Sequence, residues 1–169
     1  MLSMLLILTA TTALVAGDDK TPEPKILARA YWPYGKANPD AGKKGETVVI
    51  RSAAELIKRS PWSELDAPPQ VVEKNATEAV AKLLKEPDID WKKQMLIVVT
   101  AGAKPTGGWK VNVDALKVQE KTLTVEWSVT PPKGFATQAF THPGQVILVE
   151  RWDGPVMFAT GGKKADETK

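Results

Sequence analysis

The sequence predicts an α+β domain in which two short helices in the N-terminal half precede a mostly antiparallel, sandwich-like β-sheet. The uninterrupted apolar run Met95–Val99 is typical of a strand that is buried on both faces. Two later segments, 109–114 and 122–129, alternate apolar and polar residues with a period of two, which is typical of strands with one solvated face. Apolar residues at helical spacing occur before these strands, so the predicted helices precede them in the chain.

The first predicted elements are a strand at Thr47–Arg51 and a short helix behind it. The strand is rich in β-branched residues. Ser52 and Glu55 have the spacing of a capping box, which predicts a helix that begins at this point and ends before Pro61.

A second helix is predicted after a loop at Trp62–Gln70. Asn75 and Glu78 repeat the capping signature, so we expect Asn75 to be the N-cap, and Pro87 ends the helical pattern. Apolar residues follow the cap at helical spacing: Ala76, Val80, Leu83 and Leu84.

The C-terminal third predicts two further strands. Pro131–Gly134 ends the second alternating segment, and Val146–Val149 is the next apolar run. Asp153-Gly154 is a hairpin signal before a last strand at Val156–Ala159, and Pro155 favours an edge position because it lacks a backbone N–H.

The chain divides into four predicted regions. Residues 1–17 resemble a secretory signal peptide, because Leu2–Ala16 is uncharged and nearly all apolar or Thr, but shorter than the roughly 20 residues of a spanning helix. We therefore expect export and no stable membrane span. Residues 18–45 are predicted to be a flexible Pro/Gly/Lys-rich tether, 46–160 the globular domain and 161–169 a disordered tail.

The aromatic cluster Tyr31–Gly35 lies within the predicted tether. It either packs on the domain or anchors a partner.

Composition excludes several classes of function. The chain has no cysteine, which excludes a disulfide framework, a thiol nucleophile and a lipidated cysteine. The net charge of +3 lies outside the predicted domain, since basic and acidic residues are equal in number from Glu46 to Thr160. A nucleic-acid-binding face is therefore not expected. The sequence makes no prediction of an oligomeric state.

Candidate catalytic and metal-binding residues are few. His142 is the single histidine, so a typical zinc site or a Cys/His pair cannot form. A Ser/His/Asp triad would have to use Ser60, Ser63 or Ser128, none of which lies in a G-x-S-x-G motif. Asp88, Asp90 and Asp114 do not form a calcium-loop motif, and a turn explains the first two better. We therefore predict no catalytic residue, no metal, no cofactor and no enzymatic activity.

The best candidate site is the hexapeptide that follows the buried strand. Pro105 presets a turn, Gly107 and Gly108 permit unusual backbone angles, and Trp109 is a residue type common at binding hot spots. The simpler interpretation is a hairpin turn whose Trp109 covers the core. The predicted partner-binding residues are Lys104, Pro105, Thr106, Gly107, Gly108 and Trp109.

The hexapeptide and its surroundings resemble a known family. The run from Ile89-Asp90-Trp91 through Met95–Val99 to Gly102-x-Lys104–Trp109-x-Val111 is similar to the C-terminal domain family of PrcB-like protease-complex subunits. Later matches are Pro132-x-Gly134, Gln138-Ala139 and Thr141-x-Pro143, so the resemblance spans about Asp88 to Leu148. It implies a non-enzymatic, exported domain that binds a protein partner, with a secreted protease as the partner that the family suggests. Trp109 departs from the family's more usual Tyr.

Two alternatives remain open. Pro105–Trp109 is similar in layout to the N-P-T-T-G-[YF] loop of chagasin-type inhibitors of cysteine proteases, although their other two loops have no convincing match here. Carbohydrate binding by ring stacking is also compatible with an exported chain that carries several aromatic residues.

Overall fold

The computed structural model describes residues 22–32, 45–58 and 68–161. In these ranges the chain forms seven strands and two helices, which confirms the predicted α+β class. The elements are β1 (Ile26–Tyr31), β2 (Glu46–Ile50), α1 (Ala53–Ile57), α2 (Pro69–Leu84), β3 (Gln94–Thr100), β4 (Lys110–Gln119), β5 (Thr122–Thr130), β6 (Gly144–Glu150) and β7 (Val156–Thr160).

The strands form two sheets with a shared core. The first sheet has the order β1-β6-β3-β2 and is antiparallel throughout. The second has the order β4-β5-β7, with β4 antiparallel and β7 parallel to β5. Leu96 and Val98 of β3 belong to a core cluster with both helices, whereas Met95 and Ile97 belong to a cluster with the second sheet. The prediction that Met95–Val99 is buried on both faces is thus confirmed.

The predicted start of α1 at the Ser52 N-cap is confirmed, but Glu55 binds the N–H of Arg51 rather than that of Ser52 as in a standard capping box. The backbone N–H of Glu55 donates to Ser52 Oγ at 3.1 Å, and the Glu55 carboxylate accepts from the backbone N–H of Arg51 at 2.6 Å. Two backbone donors at the helix start are satisfied in this way, and Leu56 enters the helix-side core.

The predicted start of α2 is wrong. This helix begins at Pro69, with Pro68 as the N-cap, and Asn75 is an exposed residue within it. Proline is favoured in the first turn of a helix because its missing N–H has no partner there anyway. Val72 extends the buried stripe of Ala76 and Val80 by one turn. Of the predicted loop at 62–70, residues 62–67 lie outside the described ranges.

The predicted tether at 18–45 contains a strand instead. β1 pairs with β6, and Trp32 follows it into the helix-side core, where it is 3% exposed. The inward positions of β1 hold the small residues Ala28 and Ala30, which pack against that core and give only a weak apolar signal. The packing interpretation of the aromatic cluster therefore holds for Trp32, while Tyr31 is 57% exposed.

The two chain ends fall largely outside the described ranges. The predicted signal peptide at 1–17 lies outside them, as does the predicted tail except for Gly161. Among the residues that are described, no helix is both long and apolar enough to span a membrane.

β4 continues to Gln119, beyond the predicted alternating segment, because a bulge interrupts the alternation without ending the strand. The register with β5 shifts between Val113 and Ala115, so that Asp114 is an extra residue and the buried positions change from odd to even numbers at Leu116. The bulge is held by the first sheet. The Val113 N–H donates to Gln145 Oε1 at 2.6 Å, and the Arg29 guanidinium donates to the Val113 carbonyl.

The predicted hairpin at Asp153-Gly154 is wrong. β7 does not pair with β6, because the chain crosses from the first sheet to the second and β7 joins β5 in parallel. Arg51 stabilises the crossing by donating to the carbonyls of Trp152 and Gly154 at 3.2 and 3.3 Å. The predicted edge position of this strand is confirmed.

Candidate partner-binding surface

The hexapeptide 104–109 is joined by hydrogen bonds to the segment 131–143, and we call the two together the loop surface. The N–H of Lys104 donates to the carbonyl of Thr141 at 2.8 Å, and the N–H of Thr141 donates back to Lys104 at 3.0 Å. The Gly107 N–H donates to the carbonyl of Thr137 at 2.9 Å. The Thr141 hydroxyl donates to the carbonyl of Thr106 at 2.8 Å. Two loops that are distant in sequence therefore form one unit.

The two glycines permit this close contact. A Cβ on Gly107 would clash with Thr137 Oγ1. Gly108 has a φ of +81°, and a Cβ there would lie 2.8 Å from Pro132 Cβ. Both glycines thus face the opposite segment, so loop–loop packing explains them as well as turn geometry does.

Trp109 braces its own loop. Its indole N–H donates to Thr106 Oγ1 at 3.1 Å, and Lys104 Nζ lies 5.1 Å from the ring centroid, within the range of a cation–π contact. Trp109 is half-buried and belongs to neither core cluster. Trp109 lines a cleft of about 180 Å³ together with Tyr31 and Gln145.

The most exposed aromatic side chains of the described residues lie on or beside this surface. Phe135 is fully exposed and Phe140 is 81% exposed. Tyr31 donates its hydroxyl to the carbonyl of His142 at 3.2 Å, which places it next to the same segment. Phe135 and Phe140 were not among the predicted site residues. In the sequence they are two aromatic residues in a segment without periodicity. Such a pattern does not show whether an aromatic side chain is exposed or buried.

The loop surface is also cationic. Lys104 and Lys133 lie in it, and Lys110 follows the hexapeptide directly. There is no acidic residue from 101 to 113 or from 127 to 149. Apolar rings and positive charge therefore lie together at this end of the domain.

The residues considered for catalysis or metal binding have local roles. His142 is half-buried beside Tyr31, and the Asp88 and Asp90 carboxylates accept from the N–H groups of Ile89 and Lys92 at 2.7 and 3.0 Å. The turn interpretation of the two aspartates is therefore confirmed. Within 22–32, 45–58 and 68–161, no group of three His, Asp or Glu residues converges on a possible metal position. Ser60 and Ser63 lie outside these ranges.

The fold and the loop surface define a class of protein, a helix-backed, two-sheet domain whose braced loops present aromatic and cationic side chains. Residues 95–150 match the protein-family model described as PrcB C-terminal. The match runs from β3 through the hexapeptide and the facing segment to β6, so the resemblance to this family is confirmed for that part of the chain. No curated protein and no solved structure gives a significant match.

Proposed function

We propose that this protein is an exported, non-catalytic domain that binds a protein partner through the loop surface. The observation that carries the proposal is the exposure of Phe135 and Phe140 on a segment that hydrogen bonds hold against the hexapeptide. Single exposed apolar residues are common on proteins, but two phenylalanines and Tyr31 at one end of a domain are typical of an interface.

The bracing of the loops favours tight binding. Ordering a flexible loop at an interface costs about 0.5–1.5 kcal/mol for each immobilised side chain, and a preformed loop avoids part of that cost. Trp109 contributes by supporting Thr106 and Lys104 rather than by projecting from the loop tip. The contact residues in this account are therefore the two phenylalanines, with the hexapeptide as their support and rim.

The family match and the charge of the surface indicate the kind of partner. The PrcB C-terminal match supports a role as a subunit of a protease complex, with a secreted protease as the partner. Because the loop surface has lysines and no acids, we expect the complementary face of the partner to be apolar at its centre and acidic at its rim. The signal-peptide pattern at 1–17 supports export.

Inhibition of a cysteine protease and binding of carbohydrate remain predictions. The hydrogen bond from the Trp109 ring to Thr106 argues against a chagasin-type inhibitor, since a loop that blocks a protease must project its tip. A flat titration against a papain-like protease would remove that alternative. For carbohydrate binding, the absence of any change in tryptophan fluorescence during glycan titration would do the same.

Photo-cross-linking in cells that export the protein tests the proposal. A benzoylphenylalanine is placed at Phe135 or at Phe140, and the matched control is the same residue at Val71, an exposed apolar position on α2. We expect both loop positions, and not position 71, to form an adduct with one and the same protein. Adducts that are absent at the loop positions, or equally frequent at position 71, would contradict the proposal.

A further inference from the structure

β7 is an edge strand with one free side. It lies at the end of the second sheet, and β5 is the one strand that pairs with it among the residues that the structure describes. Edge strands present unpaired backbone groups to which another strand can add.

Two backbone hydrogen bonds determine which groups of β7 are free. The N–H of Leu123 donates to the carbonyl of Pro155 at 2.9 Å, and the N–H of Gly161 donates to the carbonyl of Trp127 at 2.8 Å. In a parallel ladder, alternate residues of a strand bond to the same neighbour. The backbone N–H and C=O groups of the odd-numbered residues of β7 therefore bond to β5. Those of Val156, Phe158 and Thr160 point away from β5, at the free edge.

This edge lacks the usual protection against strand addition. Natural edges carry charges, prolines or bulges that prevent pairing. No charged residue occurs from Gly154 to Gly161. Pro155 is one of the odd-numbered residues, so the N–H that it lacks would point toward β5. The free edge of β7 therefore loses no hydrogen-bond donor. Met157, on the outer face of the strand, is 62% exposed.

We propose that a second copy of this chain pairs with β7, antiparallel, about a twofold axis at Phe158. Each Phe158 then exchanges two hydrogen bonds with Phe158 of the second copy, and Val156 pairs with Thr160 of that copy. The two three-stranded sheets become one continuous six-stranded sheet. The contact is isologous, as in most homodimers, and therefore closes without forming a filament.

The side chains of β7 are suited to pairing with β7 of a second copy. In this register Met157 lies opposite Ala159 of the second copy on the outer face, so a long exposed side chain lies beside a small one. No like charges meet, because the strand is neutral along its whole length. β4, which leads out of the hexapeptide, is separated from β7 by β5, so that pairing leaves the loop surface of both copies open. A single short strand pair buries little area, and we expect a dissociation constant on the order of micromolar.

Sedimentation equilibrium of the purified protein at roughly 1 to 100 times that concentration tests the pairing. We expect a monomer–dimer equilibrium that Met157→Lys shifts at least tenfold toward monomer. The matched control, Gln119→Lys, is an exposed position on β4 and should leave the equilibrium unchanged. Circular dichroism checks that each variant is folded. A protein that is monomeric throughout, or a dimer indifferent to Met157→Lys, would overturn the proposal.

A cysteine experiment tests the register, since the chain has no cysteine of its own. Positions 157 and 159 of opposite copies form a non-hydrogen-bonded pair with Cα atoms about 4.5 Å apart, a separation that suits a disulfide. A mixture of Met157→Cys and Ala159→Cys proteins in a glutathione buffer should therefore give mainly the mixed disulfide, and either variant alone much less. Equal yields from single variants and mixture, or capture of an unrelated protein in place of a second copy, would contradict the assignment.

Discussion

The indole N–H of Trp109 donates a hydrogen bond to the hydroxyl of Thr106, three residues earlier in the same loop, at 3.1 Å. The sequence left two interpretations of Trp109, as a displayed contact residue or as a cover of the core. The structure gives the ring a third role. It holds the hexapeptide in shape beside the segment that carries Phe135 and Phe140.

Replacing Trp109 tests this bracing role. We expect Trp109→Ala to lower the free energy of unfolding by about 1–2 kcal/mol, since a half-buried ring and one hydrogen bond are lost. The core control Leu148→Ala should cost about 2–5 kcal/mol. Urea denaturation measures both values. A loss for Trp109→Ala as large as that for Leu148→Ala would make Trp109 a core residue.

Two glycine variants separate loop–loop packing from backbone strain. Gly108 and Gly134 have nearly the same positive φ, +81° and +83°, but a Cβ on Gly134 meets no atom within 4 Å. Gly134→Ala should therefore cost only the strain, about 1 kcal/mol, and Gly108→Ala about 1–3 kcal/mol more because of the rigid Pro132 ring. The comparison uses urea denaturation. Equal costs for the two variants would show that the contact with Pro132 contributes nothing.

The hydrogen bond from the Val113 N–H to Gln145 should protect the Val113 amide at the bulge from hydrogen exchange. Gln145→Ala leaves that donor without its acceptor at a buried residue, and we expect a loss of about 1–3 kcal/mol and faster hydrogen exchange of the Val113 amide. Gln145→Glu retains an oxygen acceptor and should retain most of the protection. Exchange is measured by NMR. Unchanged exchange in the alanine variant would be evidence against the cross-sheet bond.

The β4–β5 turn can be improved. Glu120 and Lys121 both have positive φ, 47° and 66°, and their side chains make that conformation costly. We expect Lys121→Gly to raise the free energy of unfolding by about 0.5–1 kcal/mol, because glycine is preferred at the second position of this turn. Lys117→Gly, inside β4, should instead be destabilising, since glycine weakens a strand interior and the ion pair with Glu126 is lost. A destabilised Lys121→Gly protein would contradict the assigned turn.

The parts of the fold that the sequence predicts are those whose burial appears in the local sequence, either as a continuous apolar run or as alternation. β3 and β5 have such patterns, and Ser52 with Glu55 marks α1 directly. β1 lacks a pattern because its inward residues are alanines, and its pairing partner Val149 lies far along the chain from Ile26. The parallel pairing of β7 depends on the path from the first sheet to the second, which the local Asp153-Gly154 signal does not contain.

The same distinction applies to the loop surface. The turn chemistry of Pro105, Gly107 and Gly108 is visible in the sequence, and so is the family resemblance that residues 95–150 confirm. The contact of Gly107 with Thr137 is a product of the tertiary fold. Phe135 and Phe140 lie on the same segment as Thr137, and their exposure depends on how that segment packs in the fold, so it could not be predicted from their neighbours in sequence.

The central claim is that a protein partner binds the loop surface, and the most direct test is the affinity of a double variant. Once cross-linking has identified the partner, its affinity for the Phe135→Ser/Phe140→Ser protein is measured by biolayer interferometry. We predict a loss of at least about 30-fold, the value of one hot-spot residue, with a melting temperature within about 2 °C of the parent. Val71→Ser is the control and should bind normally. Unchanged affinity in the double variant would contradict the claim.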